Sequence, residues 1–186
     1  MSETLEDHEK ATQAAEGGRR YSALLIAALA ACLAFVEQGA QHSQTRLNAN
    51  AIAAADLWAQ YQAKSIRANE ARDLASVVDV SAPPGQARDK VSAALRADSE
   101  RFEHEPKTGK LAIASEAKAD EDARDAAHEK LQAFDNAAAA LQLAIVLTTA
   151  SVITGSRMLV GAGFLVGLAG AVLGVLGLIK PEWAAW

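Results

Sequence analysis

Two stretches near the C-terminal end, 137–156 and 158–179, run for twenty and twenty-two residues without a charge and are parted by Arg157. A helix needs about 20 apolar residues to cross the roughly 30 Å hydrocarbon core of a bilayer, so each is long enough to span one. The short connection Gly155-Ser156-Arg157 makes them an antiparallel pair. A third run, Tyr21 to Val36, holds sixteen uncharged residues, about 24 Å of helix, which is marginal for a span. Snorkelling of Arg19 and Arg20 extends its reach, and burial among other helices lowers the cost of Glu37 and Gln38 at its far end.

Between the first run and the paired ones lie about a hundred charged, alanine-rich residues. Alanine favours helix, and no segment alternates as a strand does, which sets the fold class as all-α. After Val36 no proline occurs before Pro83 and Gly39 is the one glycine, so a single helix is expected to run to about Asp79. Pro83-Pro84-Gly85 forces a turn. A return helix starts at Gln86, breaks at Glu105–Gly109 and resumes from Lys110 to Asn136. The two arms are nearly equal, each on the order of 65 Å at helical rise.

The expected organisation is a polar tail over 1–20, a first transmembrane segment over 21–36, a coiled-coil-like antiparallel helical hairpin over 37–136 projecting from the bilayer, a transmembrane pair over 137–179, and a tryptophan-containing tail over 180–186. The spacing of Leu47, Ala51, Ala54, Trp58 and Tyr61 predicts one seam of the hairpin, answered by Ala123, Ala127, Leu131, Phe134, Ala138, Leu141 and Ile145. So few bulky seam residues bury little apolar area, which points to sharing of that surface between copies of the chain.

Gly163, Gly167, Gly170, Gly174 and Gly177 recur at spacings of four and three and lay a groove of bare backbone along the last segment. Glycine costs helix stability, so five on one face imply close helix packing, either within the chain or in a homo-oligomer. Ala140, Ala144, Thr148, Ser151 and Gly155 form a small-residue stripe on the second span, and Ala23, Ala27, Ala30 and Ala34 another on the first. Trp183 and Trp186 follow Lys180-Pro181 as interfacial anchors, with Arg19, Arg20 and Arg157 as basic flanks. With three spans those arginines share one side. The positive-inside rule then puts the N-terminus in the cytoplasm and the hairpin in the periplasm.

Chemistry is sparse. The net charge of −5 and the absence of a basic run argue against nucleic acid as a partner. Cys32 closes a Leu29-Ala30-Ala31-Cys32 sequence of lipobox type, but the apolar run continues past it to Val36, which favours a retained helix. Glu121, Asp125 and His128 share a helix face as metal ligands could, with no answering ligand set, and a solvated charged face is the simpler reading. No nucleophile and base recur at a catalytic spacing, so neither enzymatic activity nor a metal or cofactor is expected.

Residues 50–67, NAIAAADLWAQYQAKSIR, resemble the signature of a bacterial membrane-protein family known as domain of unknown function 4337, with Asp56, Trp58, Tyr61, Gln62, Lys64, Ser65 and Ile66 on its pattern. Residues 141–178 are similar to that family's paired terminal spans. The resemblance implies the three-span architecture in the bacterial inner membrane and no particular activity. On a helix Asp56, Gln60 and Lys64 share one face, and Trp58, Tyr61, Gln62 and Ser65 another. The expected function is that of a self-associating scaffold or interaction module, with membrane lipid, further copies and an unidentified membrane protein as partners. The alternative is a subunit or accessory protein of a channel or transporter, using Gln142, Thr148, Thr149, Ser151 and Thr154.

Overall fold

In a computed structural model, which describes the backbone over residues 2–179 and side chains over 20–179, the chain forms four helices: α1 (Ser2–Ser81), α2 (Gln86–His104), α3 (Lys110–Thr154) and α4 (Arg157–Ile179). No strand occurs among the described residues, so the protein is all-α. The expected punctuation lies at Pro83-Pro84-Gly85 and at Glu105–Gly109. Gly109 closes the second break by donating to the Glu105 carbonyl (2.8 Å). A Cβ there would strike the Glu105 backbone and stand 3.0 Å from the Glu103 carbonyl, so the turn requires glycine. Gly155 ends α3 at φ +70°, the left-handed conformation of a helix C-cap, with its N–H on the Ser151 carbonyl (2.9 Å). The tail, first apolar segment and ascending arm expected from the sequence follow one another in α1 without a backbone break, because nothing from Ser2 to Ser81 interrupts the hydrogen-bond ladder.

The chain divides into two compact units: residues 1–45 with 127–186, and residues 46–126. In the first, α1, α3 and α4 pack about a core of Leu29, Val36, Phe134, Ala137, Leu141 and Ala144. Partners of α4 fall steadily along α3, from Thr148 at Gly163 through Ala144 at Gly167 and Leu141 at Gly170 to Ala133 at Gly177, the order made by antiparallel helices. Partners on α1 rise with α4, Leu29 at Gly167 and Val36 at Gly174, as in parallel ones. Ser22, Leu29, Val36 and Ser43, all buried, stand seven apart, the period of a left-handed pair.

The small stripe expected to pack on α1 does not do so. Ala23, Ala27, Ala30 and Ala34 are exposed, and Ser22, Leu29 and Val36 face inward instead. The reason is geometric: a glycine groove on α4 leaves volume that the branched chains of Leu29 and Val36 fill and alanine would leave empty.

In the second unit, α1 pairs with α2 and the first half of α3. Ala54, Ala68 and Ala75 are buried, and half-buried Tyr61 completes the same seven-residue repeat. Arg96 bonds Asp79, Ser99 Oγ donates to the Ala68 carbonyl (2.9 Å), and Arg72 bonds Glu103 (3.1 Å). The Asp79–Arg96 and Arg72–Glu103 ion pairs run in opposite order along α1 and α2, as in antiparallel helices. The seam predicted on α3 shifts: Ala123 is exposed, while Ile113, Ala117 and Ala127 are buried. Ala123 lies four residues before Ala127, but the buried stripe reaches Ala127 through half-buried Asp120 and Arg124, the long side chain of Arg124 keeping its charged end wet. Among the described residues three helices contain windows apolar and long enough to cross a membrane, within Arg20–Ser81, Lys110–Thr154 and Arg157–Ile179.

Candidate functional site

Two groups of residues singled out by the sequence find defined surroundings, one in each unit. The first is the glycine face of α4. All five glycines are buried, and each meets other helices of the same chain. A Cβ at Gly170 would stand 3.0 Å from Leu141 Cγ and 3.1 Å from Ala140 Cβ, and one at Gly177 3.1 Å from Ala133 Cβ. Gly163 lies against Thr148 and the Ala144 carbonyl. The stripe on α3 is the surface it meets, with Ala144 and Thr148 fully buried and Ser151 nearly so. Thr148 Oγ1 donates back to the Ala144 carbonyl (2.8 Å), and Ser151 Oγ likewise bonds the Thr148 carbonyl, so these hydroxyls are satisfied within their own helix. Packing within one chain accounts for the whole glycine face.

Gly39 belongs to the same packing system and has no counterpart among the residues picked from spacing. A Cβ there would come within 2.8–3.0 Å of three atoms of the Phe134 ring, so the ring sits directly on the α1 backbone. The legible signal was its isolation as the one glycine between Val36 and Pro83.

The second group is the cluster around Trp58. Its indole N–H donates to Glu121 Oε1 (2.9 Å), and its ring meets Tyr61 edge to face at 5.3 Å. Lys110 Nζ stands 5.7 Å over Tyr61, and Lys64 Nζ 5.4 Å over Phe102. Lys110 and Arg72 converge on Glu103 (3.5 and 3.1 Å). Trp58, Tyr61, Lys64 and Ser65 are half-buried, while Asp56 and Gln62 are exposed. Lys64 therefore shares the inward face with Tyr61 rather than the face of Asp56, and Gln62 leaves it. The inward face centres on Ala54, Tyr61 and Ala68, so Lys64, three residues from Tyr61, flanks it while Gln62 points about 100° away. Lys110, the first residue of α3 after the Glu105–Gly109 turn, is the cation set over Tyr61.

The Glu103 carboxyl is held below its ordinary range, first by the hydrogen bond from Arg72, with partial desolvation opposing and Lys110 adding to the lowering. A depressed folded-state value stabilises the fold above the unfolded carboxylate range and loses that contribution as pH falls through the folded value. Glu103→Gln is accordingly expected to cost on the order of 1 kcal/mol at pH 7 and to flatten the acid side of the stability profile, measured by thermal unfolding between neutral and acid pH.

The metal arrangement considered over Glu121, Asp125 and His128 is not assembled: Glu121 receives Trp58, Asp125 receives Arg124 (2.8 Å), and His128 is exposed. Among the described residues no three His, Cys, Asp or Glu side chains converge as a metal site. Arg157 and Tyr21 line one groove, so the start of the first apolar segment and the α3–α4 turn lie at the same end of their unit. The remaining anchors, Trp183 and Trp186, and the side chain of Arg19 lie outside the described residues.

A glycine seam packing α4 against α3 and α1, and a charged helical unit closed by an aromatic–carboxylate cluster, make up an all-helical protein in which three helices are long and apolar enough to cross a membrane. The chain belongs to the family described as Domain of unknown function (DUF4337), whose family model matches residues 19–180. Comparison with curated proteins and with solved structures gave no match.

Proposed function

We propose that the protein is a non-enzymatic, multi-pass membrane scaffold that associates with copies of itself through the charged helical unit. In this reading the three apolar helices cross the bacterial cytoplasmic membrane, and residues 46–126 stay in water because their charges exclude them from hydrocarbon. Grouping of Tyr21 and Arg157 at one end supports a cytoplasmic N-terminus and a periplasmic second unit, since it gathers Arg20 and Arg157 on one flank.

The observation that carries self-association is a second apolar stripe on α1. Ile52, Ile66 and Val80 are 64%, 58% and 87% exposed and stand fourteen residues apart, with exposed Leu74 and Val77 beside them. They lie two residues before Ala54, Ala68 and the turn, about 200° round the helix from the buried seam. An apolar face opposite an occupied one, here with bulky residues at every second heptad and Ala59 and Asp73 between them, offers a further helix a surface to pack on. The glycine face is occupied within the chain and so does not supply the contact between copies. A channel role draws less support, because Thr148, Thr149, Ser151 and Thr154 bond carbonyls of their own helix; exposed Gln142 is the polar group it would use.

The test is native mass spectrometry of the full chain in nanodiscs. Wild type is expected as a defined oligomer, and Ile66→Asp with Val77→Asp as a monomer of unchanged helix content, with association weaker by on the order of tenfold or more. A wild type that is monomeric at every concentration would refute self-association.

A further inference from the structure

We propose that the groove at the Arg157 end of the three-helix unit binds one anionic phospholipid, its phosphate on Arg157 and an acyl chain along α4. The groove has a volume of about 400 Å³ and is lined by Tyr21, Ser22, Arg157, Val160, Gly161 and Phe164. Its floor is apolar: Val160 and Phe164 are successive-turn neighbours on α4, and a Cβ at Gly161 would meet nothing within 4 Å. Gly161 is thus unlike the other α4 glycines, which meet α1 and α3; among the described residues none comes within 4 Å of the space its Cβ would take.

The mouth is cationic. Arg157 is exposed, and Arg20, also exposed, precedes Tyr21 on α1. Among the described residues Arg20 and Arg157, like Arg46 and Arg67, have no ion-pair partner, whereas Arg72, Arg88, Arg96, Arg101 and Arg124 each contact a carboxylate; of the four unpaired arginines Arg157 is the one that lines this groove. An uncompensated guanidinium beside an apolar channel complements an amphiphile with an anionic head. A guanidinium fits a phosphate in bidentate fashion, and Tyr21 at the rim suits the interfacial depth at which a phospholipid phosphate sits.

This inference rests on the membrane placement proposed above, and two measurements separate their failures. Carbonate washing of membranes holding the full chain tests the placement: release of the protein overturns both readings. Retention leaves the lipid site to a titration followed by native mass spectrometry, in which detergent-purified full chain receives phosphatidylglycerol, phosphatidylcholine of the same acyl chains, or glycerol 3-phosphate. Phosphatidylglycerol is expected to bind one to one and to survive delipidation. Arg157→Gln should weaken it about tenfold, the value of a charge-assisted hydrogen bond, and weaken phosphatidylcholine less, because the choline ammonium beside its phosphate already offsets the attraction of the guanidinium. Gly161→Leu, which fills open space, should weaken both lipids with the fold intact. Equal affinity for the two lipids, indifference to either substitution, or binding of glycerol 3-phosphate as tight as that of the lipid would each overturn the proposal.

Discussion

Gly170→Leu is expected to lower the thermal stability of the detergent-solubilised protein by about 10 °C, roughly 3 kcal/mol for a chain of this size, while leaving its helix content almost unchanged. A leucine there begins with a Cβ 3.1 Å from the Leu141 backbone nitrogen and 3.0 Å from Leu141 Cγ, and has three more carbons to place. Neither backbone can yield locally, so α4 must lift from α3. Each helix keeps its own hydrogen bonds, so the loss falls on the close van der Waals packing between the two helices. Gly167→Leu meets Leu29 and is expected to behave similarly, with some relief because that partner is a side-chain end. The control is Gly161→Leu on the same helix, where a Cβ meets nothing; its expected effect is within about 0.5 kcal/mol. Equal melting temperatures for the Gly161 and Gly170 variants would show that glycine content rather than packing sets the stability of α4.

Phe134→Ala is expected to destabilise by about 3 kcal/mol, the lower range for emptying a buried aromatic site. Phe134 is 5% exposed and belongs to the one core cluster of its unit, with its ring on Gly39 and its edge 3.8 Å from where a Gly177 Cβ would be. It therefore joins α1, α3 and α4 at one point. Gly39→Ala should cost about 1–3 kcal/mol by pressing a methyl into that ring, and a smaller partner should take it back. The double variant Gly39→Ala with Phe134→Leu is expected to be more stable than the sum of the two single losses, an interaction of 0.5 kcal/mol or more for residues in direct contact. Additive losses in thermal unfolding would mean that ring and backbone do not touch.

The elements themselves were legible from local rules. Prolines and glycines at 83–85 and 105–109 end helices because a missing N–H or a bare Cα breaks the ladder, and both breaks lie where the residues put them. The glycine stripe was legible as a packing face because five helix-weakening residues on one side of α4 need compensation. Its alanine and threonine partners on α3 followed from the same reasoning, since two backbones approach closely where both carry small side chains.

On α1 that rule chose the wrong face. Ala23, Ala27, Ala30 and Ala34 match α4 small to small, yet the third helix must fill the volume the other two leave, and Leu29 and Val36 have the size to do it. The Lys64 environment and the Gly39–Phe134 contact were equally beyond spacing, because each joins residues far apart in the chain, Lys64 with Phe102 and Gly39 with Phe134, whose relative register no single helix encodes.

Composition, uncharged run lengths and helix breakers thus determined that this protein is all-helical, where its helices stop, and that α4 carries a packing face, since these depend on each residue and its near neighbours. Which surfaces meet was decided by tertiary structure: the glycine face is spent inside the chain, Phe134 sits on Gly39, and Ile52, Ile66 and Val80 are left outward. A helix offers several competing faces at once, and the volume left between three of them selects among those faces in a way no single stretch of sequence encodes.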